Sequence, residues 1–493
     1  MLFLTVINLY AIRITLDVLG VVDYGIYNVV ASVVASLSFL NGTLTSASQR
    51  FLSFHLGKKD YDAYSKTFSL LIFTFIVISF ILVIVAEIIG FFFLDDWLVI
   101  PKDRLTAAKW VYQATIFTFI FHLLIVPYSS EIIANEKMTA FAYISIIDGV
   151  LKLLLVFMLI HSSFDPLIYY GVLVLIVSFI VFLLYVIYCK VSFPFCKIQF
   201  SLNKKMFKEL MSYTSWNLFG SVSGMLIVQG QSILLNLFFG PVINAAKAIA
   251  DKVSNVINSF STNFYMAITP QIIKSYAEED NQRMLRLGIR SSRLSFFLIL
   301  FLSYPLIVTM KPVLSIWLKG KYVSDDMIGF TKLALVYCLV QSLEQPITQM
   351  IRATGKIKNY QFKVGIWTLA FIPIATVALY LGANALSTMV ILILLYIWVM
   401  FIRVNIARNQ VGLDLHSYLH EVIKPICLVF AVCLCLYIPL DKLTLQSNIW
   451  FVMIFKLSCS FLLVSAIIWF VGLTKQDKQL INSIIAKVLH HKN

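Results

Sequence analysis

Long apolar runs divide this chain at regular intervals, near residues 2–18, 24–46, 67–94, 107–130, 139–160, 166–189, 212–239, 241–268, 294–318, 327–350, 364–382, 385–407, 425–440 and 448–472. Runs of about 20 residues match the hydrocarbon thickness of a bilayer at helical rise. They are too long for barrel strands and lack period-two alternation, so they predict helices. The pattern predicts an all-α polytopic membrane protein of about fourteen transmembrane helices.

A weak repeat overlies this pattern. Gly20 after the first span corresponds to Gly240 after the seventh. Gln49, Ser53 and Phe54 after the second correspond to Gln271, Ser275 and Tyr276 after the eighth. Pro127 and Lys137 around the end of the fourth correspond to Pro346 and Lys356 around the end of the tenth. Six spans per unit is an even number, so both units enter the membrane in the same direction, an arrangement found among transporters. The reading is two six-helix bundles related by a pseudo-twofold axis, with two extra C-terminal helices. Its boundaries are an N-terminal lobe 1–190, a linker 191–211, a C-terminal lobe 212–408, the added helices 409–473 and an amphipathic tail 474–493. In the tail Leu480, Ile481, Ile484, Ile485, Val488 and Leu489 form one stripe, the spacing of a helix lying at an interface.

Charge gives the direction of crossing. Of the 39 Lys and Arg, 26 fall in alternate gaps and six in the gaps between them. Cytoplasmic loops retain positive charge, so both termini are expected in the cytoplasm of a bacterial inner-membrane protein. This sorting accounts for the formal charge of +15 without nucleic-acid binding. With 60% hydrophobic and 13% charged residues, no soluble core could hide the apolar surface. The seven Cys are scattered and predict no disulfide framework. No basic leader or small-residue cleavage site suggests a signal peptide. Arg13 interrupts a short first span, so the natural start is expected upstream of Met1.

Polar residues inside hydrocarbon are costly and normally face a cavity or a partner helix. On the eighth span Asn244, Lys247, Asp251, Asn255, Asn258 and Thr262 fall within about 80° at helical spacing. The second span repeats this with Asn28, Ser32, Ser36, Thr43, Ser46 and Arg50, and the seventh adds Asn217, Ser221, Gly224 and Gln231 on one face. These stripes suggest a water-filled path between the bundles; for any single Ser or Thr, ordinary helix-to-helix hydrogen bonding is the commoner explanation. Lys247 and Asp251 can neutralise each other at i, i+4, as can Asp148 and Lys152. Lys252 points away from the stripe. Arg13, Asp17, Glu87, His122, Glu344 and Arg403 are further ionisable residues in spans. Glu87 and Glu344 have no local partner in sequence, and a desolvated carboxylate can carry H+ or Na+. With Asp148 they are the candidate ion-coupling residues. His416, His420 and Glu421 resemble a metal spacing but lack a third ligand in view, so no metal site or cofactor is expected. No glycine loop for phosphates is present, so ATP hydrolysis is not expected.

The segment Leu19-Gly20-Val21-Val22-Asp23-Tyr24-Gly25-Ile26-Tyr27-Asn28 resembles the Leu-Gly-x-x-x-Tyr-Gly-x-Tyr stretch of bacterial polysaccharide flippases. Ser48-Gln49-Arg50-Phe51, Asn135-Glu136-Lys137, Asn217-Leu218-Phe219-Gly220 and Ala353-Thr354-Gly355-Lys356 are similar too. The likeness, spread over nearly the whole chain, is to Wzx-type O-antigen and capsule flippases. Their superfamily also holds multidrug and toxic-compound extrusion (MATE) transporters. The resemblance implies two six-helix lobes, a central cavity with alternating access, and an undecaprenyl-diphosphate-linked oligosaccharide moved between leaflets. Cationic cavity residues would meet the diphosphate; Arg13, Arg50, Lys247 and Lys252 are the matching positions, with Asn217, Gln231, Asp251, Asn255 and Asn258 completing the candidate binding set. Membrane lipids and the polysaccharide polymerase machinery are the expected partners. A MATE-like cation-coupled drug antiporter is the alternative of the same fold, for which a mainly acidic cavity would be expected. A membrane-embedded polymerase or glycosyltransferase is the alternative of another class, and it usually needs a larger extracytoplasmic loop than any gap here.

Overall fold

The computed structural model describes residues 14, 15, 18–20, 23, 24, 26, 27, 30, 31, 39–92, 102–194, 204–318, 323–442 and 449–479. Arg13, Asp17, Asn28, Ser32, Ser36 and the tail stripe Leu480 to Leu489 lie outside these residues. The chain divides into two compact units, Met1–Leu218 and Phe219–Asn493. Among the described residues all regular structure is helical.

In the first unit the helices are α1 (Phe39–Gly57), α2 (Tyr61–Phe92), α3 (Leu105–Ala134), α4 (Met138–Ile160) and α5 (Pro166–Ser192). Helix α6 (Lys204–Phe239) begins inside the expected linker and contains the division between units. The second unit continues with α7 (Pro241–Ala277), α8 (Asn281–Val308), α9 (Met310–Trp317), α10 (Asp325–Ala353), α11 (Lys358–Leu369), α12 (Phe371–Tyr380) and α13 (Ser387–Val411). It closes with α14 (Lys424–Lys442) and α15 (Ile449–Ile467). Among the described residues eleven helical segments are long and apolar enough to cross a membrane. The three predicted spans outside that set are the first two, which include undescribed residues, and α7, which has 37 residues but is too polar.

Several helix starts follow from local chemistry. Asp165 caps α5 by accepting from the Leu167 and Ile168 amides at 3.0 and 3.2 Å, with Pro166 in the first turn, where no amide donor is needed. Arg104 ties this cap down, donating to Asp165 at 2.5 Å and also to Asp23. Ser324 caps α10 by accepting from the Met327 amide, and Asp325 and Asp326 complement the helix dipole.

Helices also run past their hydrophobic stretches, which corrects the sequence reading at one cation. Arg293, just outside the ninth apolar run, is 4% exposed inside α8, whereas Arg403, already read as lying in a span, is 6% exposed inside α13. Backbone hydrogen bonds continue beyond the apolar run, so hydropathy misplaces the helix ends.

The two units are built on equivalent centres. In the first, α3 packs on α1, α2, α4 and α5; in the second, α10 packs on α7, α8 and α13. Both hub helices carry an internal proline, Pro127 and Pro346. The first core joins Ile132, Ile144, Leu155, Val156, Leu173, Val177 and Tyr185. Lipid is as apolar as these side chains, so in a bilayer such cores hold by close van der Waals packing and by polar pairs.

Turn geometry repeats in detail. Gly20 and Gly240 have φ of 72° and 78°, where a Cβ would meet its own backbone. The turn after α1 bonds Lys58 N to Phe54 O, Lys59 N to Leu56 O and Asp60 N to His55 O. The turn after α7 bonds Glu278 N to Lys274 O, Glu279 N to Tyr276 O and Asp280 N to Ser275 O. Asp60 and Asp280 then accept from the Ala63 and Arg283 amides at 2.9 Å each. Every atom pair in one turn has its counterpart 220 residues later, so Phe54 is equivalent to Lys274, and the sequence match of Phe54 with Tyr276 is two residues out of register.

The last helices attach to the second unit by packing and by one buried carboxylate. Helix α15 lies on α8, and Gly472 sits where a Cβ would be 2.7 Å from the Phe297 ring. Asp477, 1% exposed, accepts from Arg290 at 2.8 Å, Arg293 at 2.5 Å and the Thr474 hydroxyl at 2.6 Å. Arg293 also donates to the Glu421 carbonyl at 2.9 Å. Burial works against the charged carboxyl, yet the Thr474 bonds and the two guanidinium groups hold its pKa below the ordinary aspartate value.

Candidate functional site

Helix α7 carries the densest run of polar residues on a helix of this length. Asn244 and Asp251 are half-buried, Asn255 and Thr262 are exposed, and Asn258 donates to Gln341 Oε1 of α10 at 3.1 Å. Lys247 is only 1% exposed, and its Nζ sits 2.6 Å from Asp251 Oδ2. The Asp251 side chain is 40% exposed. The buried ammonium is therefore capped by the carboxylate, and the carboxylate is the member of the pair open to the surface. Lys252 is exposed on another side of the helix.

The other candidates are distributed over both units. Arg50, in the last turns of α1, stacks over Phe51, Phe54 and Tyr213 with centroid distances of 4.6, 5.2 and 5.3 Å. Thr43 is buried and Ser46 half-buried on the same helix. Asn217 is buried. Gln231 is buried too, donating to Thr388 Oγ1 at 3.1 Å, which fixes α6 against α13. Arg13 lies outside the described residues.

The candidate coupling carboxylates have three different surroundings. Asp148 pairs with Lys152 at 2.8 Å, and both are partly exposed. Lys152 lines a cavity of about 270 Å³ with His122, Tyr27, Tyr170 and Ser178. Glu87, on the surface of α2 among the described residues, accepts from Gln113 Nε2 of α3 at 3.1 Å. Glu344, without a partner nearby in sequence, meets Arg403 of α13 in an ion pair with both side chains 8% exposed. The partner is remote in sequence and becomes a neighbour only because α10 and α13 pack together.

This ion pair borders a polar cavity of about 180 Å³ in the second unit. Helix α6 contributes Gly220, Ser221 and Gly224, α10 contributes Gln345, Thr348 and Arg352, and α11 contributes Tyr360 and Gln361. Tyr360 links the walls, its hydroxyl 3.0 Å from Thr348 Oγ1 and accepting from Arg403 Nε at 3.3 Å. Gly220 is required by the close approach of Gln361, whose Oε1 would stand 2.2 Å from a Cβ there. Arg352, Tyr360 and Gln361 were absent from the candidates. Their only sequence signal is polarity at the junction of two spans, which is also the signal of an ordinary loop. Among the described residues no cluster of three metal-ligating side chains occurs.

No family model and no curated protein matches the chain. Solved structures do. One is a MATE protein in its straight conformation, with a TM-score of 0.71 at 12% identity, covering 83% of this chain and 92% of that one. A second is the outward-facing form of a multidrug resistance MATE family transporter of the MOP superfamily, at 0.70 and 12% over the same shares. A third is a MOP superfamily transporter from Pyrococcus furiosus, described for the reverse polarity of its binding pocket and a different function suggested by it. It aligns at 0.64 and 11%, over 82% of this chain and 95% of its own. At such identities the likeness establishes the fold: the chain has the all-helical fold of MATE transporters.

Proposed function

We propose that this protein is a transporter of the bacterial inner membrane, with both termini cytoplasmic. It moves undecaprenyl-diphosphate-linked oligosaccharide units from the cytoplasmic to the periplasmic leaflet by alternating access. The observation that carries this reading is α7: a helix long enough to span a bilayer yet polar along one stripe from Asn244 to Thr262. Such a helix is tolerated in a membrane where the stripe meets water or a partner. Amide and hydroxyl groups suit sugar hydroxyls, and a mixed set of cations suits a diphosphate. Within that set Arg50, Lys252 and the Lys247–Asp251 pair are the groups assigned to the anionic carrier, and Asn217, Gln231, Asn255 and Asn258 to the glycan side. The protein moves its substrate without chemical change, and the polysaccharide polymerase is the partner that takes up the product. Coupling to H+ or Na+ is assigned to Asp148, the most accessible paired carboxylate of the three candidates.

Deletion of the gene tests the reading. Surface polysaccharide should fall and lipid-linked units should accumulate on the cytoplasmic leaflet. Normal surface polymer together with normal lipid-linked pools would overturn it.

A second reading is supported by the fold and by the exposed carboxylate of Asp251: a cation-coupled drug antiporter. In that case deletion leaves the surface polymer intact and raises sensitivity to cationic compounds.

A further inference from the structure

Arg352 stands alone among the charged groups of the second-unit cavity. Its Nε is buried and meets no acceptor, and its guanidinium makes no hydrogen bond or ion pair among the described residues. The other two charges on the cavity wall, Glu344 and Arg403, neutralise each other. The lining therefore carries one uncompensated positive charge. A half-buried guanidinium whose Nε is shut off from solvent without an acceptor is costly unless a counterion or water meets it. The cavity leaves room for one, since about 180 Å³ far exceeds the ~15 Å³ that a single water needs. Gln345 adds a side-chain amide that makes no bond of its own among the described residues. The Thr348 hydroxyl lies on the same helix as Arg352 and Gln345, and it meets the Tyr360 hydroxyl of α11 at 3.0 Å.

We propose that this cavity is an oxyanion site, with Arg352 as its anchor and a phosphate-class group as its occupant. The guanidinium fork matches two oxygens of a tetrahedral anion, and the Gln345 amide supplies a further donor. The Glu344–Arg403 pair lines the site, nearly buried, without adding net charge. The site lies wholly within the second unit and uses none of the α7 stripe, so it stands whether or not the proposed substrate is correct. A free phosphate ion and a lipid phosphate head group share this chemistry.

The test is residue-resolved arginine modification of the purified full-length protein. Phenylglyoxal labelling at Arg352 is followed by peptide mass spectrometry, with exposed Arg286 and Arg408 as internal controls. Four samples are compared: sodium chloride, inorganic phosphate at equal ionic strength, nanodiscs of phosphatidylcholine alone, and nanodiscs of phosphatidylcholine with phosphatidic acid. Phosphate or the anionic lipid should slow labelling at Arg352 several-fold and leave the controls unchanged. Protection by inorganic phosphate identifies a soluble ion, and protection only in the doped nanodiscs identifies a head group. Equal labelling rates in all samples would overturn the site. Arg352→Gln should abolish the phosphate-dependent rise in melting temperature that the parent shows, and Arg352→Lys should retain only part of it. If Arg352→Gln does not fold, protection of the parent protein still decides. An unchanged phosphate response in a folded Arg352→Gln variant counts against the proposal.

Discussion

Lys59 and Glu279 occupy the same place in two turns 220 residues apart, with φ of 57° and 63°. Both are held in the left-handed region by identical hydrogen bonds although neither is glycine. That conformation costs an L-residue roughly 1–2 kcal/mol. Lys59→Gly and Glu279→Gly should therefore each raise stability, by up to about 1 kcal/mol once the added freedom of the unfolded chain is subtracted. Gly240→Ala should lower it by about 1–2 kcal/mol. Thermal unfolding in detergent reads both signs, and a loss on replacing Lys59 by Gly would contradict the shared-turn argument.

The Glu344–Arg403 pair is buried on both sides, so removing one partner strands the other. Arg403→Met alone should cost about 3–5 kcal/mol. The double variant Glu344→Leu with Arg403→Met should recover most of that loss. A double-mutant cycle by chemical unfolding measures the coupling, and additive single effects would show that the pair is not interacting.

Accessibility along α7 follows the observed burial. Single cysteines at 251, 255 and 262 should react with a membrane-impermeant maleimide, while those at 247, 250 and 257 should stay silent, because Lys247, Ala250 and Ile257 are buried. Val256 is exposed on the apolar side, so a cysteine there should react only in detergent, where lipid no longer covers it. Lys247→Ala should lower transport while Asp251→Asn lowers both transport and stability, since it leaves the buried ammonium uncapped. Labelling at 247 equal to that at 255 would remove the burial argument.

How much of this was legible in the chain depends on distance along it. The spans, the Gly20 and Gly240 turns and the i, i+4 pairs at 148/152 and 247/251 each depend on a few consecutive residues, so periodicity exposes them. Glu344 has no partner nearby in sequence, and Arg403 sits on another helix, so their pairing has no local signal. The bond from Gln113 to Glu87 likewise joins two helices and has no signal in the local sequence. The cavity around Arg352 needs four helix segments in place before its charge imbalance exists. Asp477 does have a trace in sequence, as the lone acid among the residues after Gly472, but its partners Arg290 and Arg293 lie 187 and 184 positions away.

The carboxyl of Asp477 gives a pH prediction outside the membrane spans. Its pKa in the fold is below that of the unfolded chain. Its stabilising effect is therefore complete above about pH 4 and is lost as pH falls through the lowered value. Hydrogen exchange at Thr474–Lys478 should be slow at neutral pH and quicken in acid beyond the intrinsic change. Asp477→Asn should make exchange fast at neutral pH; protection unchanged in that variant would refute the clasp.

The same clasp makes the final pair of helices obligatory. Arg293 is sealed inside α8, and among the described residues its counter-charge is Asp477, beyond α15. A shortened relative ending after twelve spans would need an uncharged residue at the position of Arg293, because the guanidinium would otherwise be buried without its counter-charge. Ancestry of the terminal hairpin could thus be traced at a single site deep in the preceding lobe.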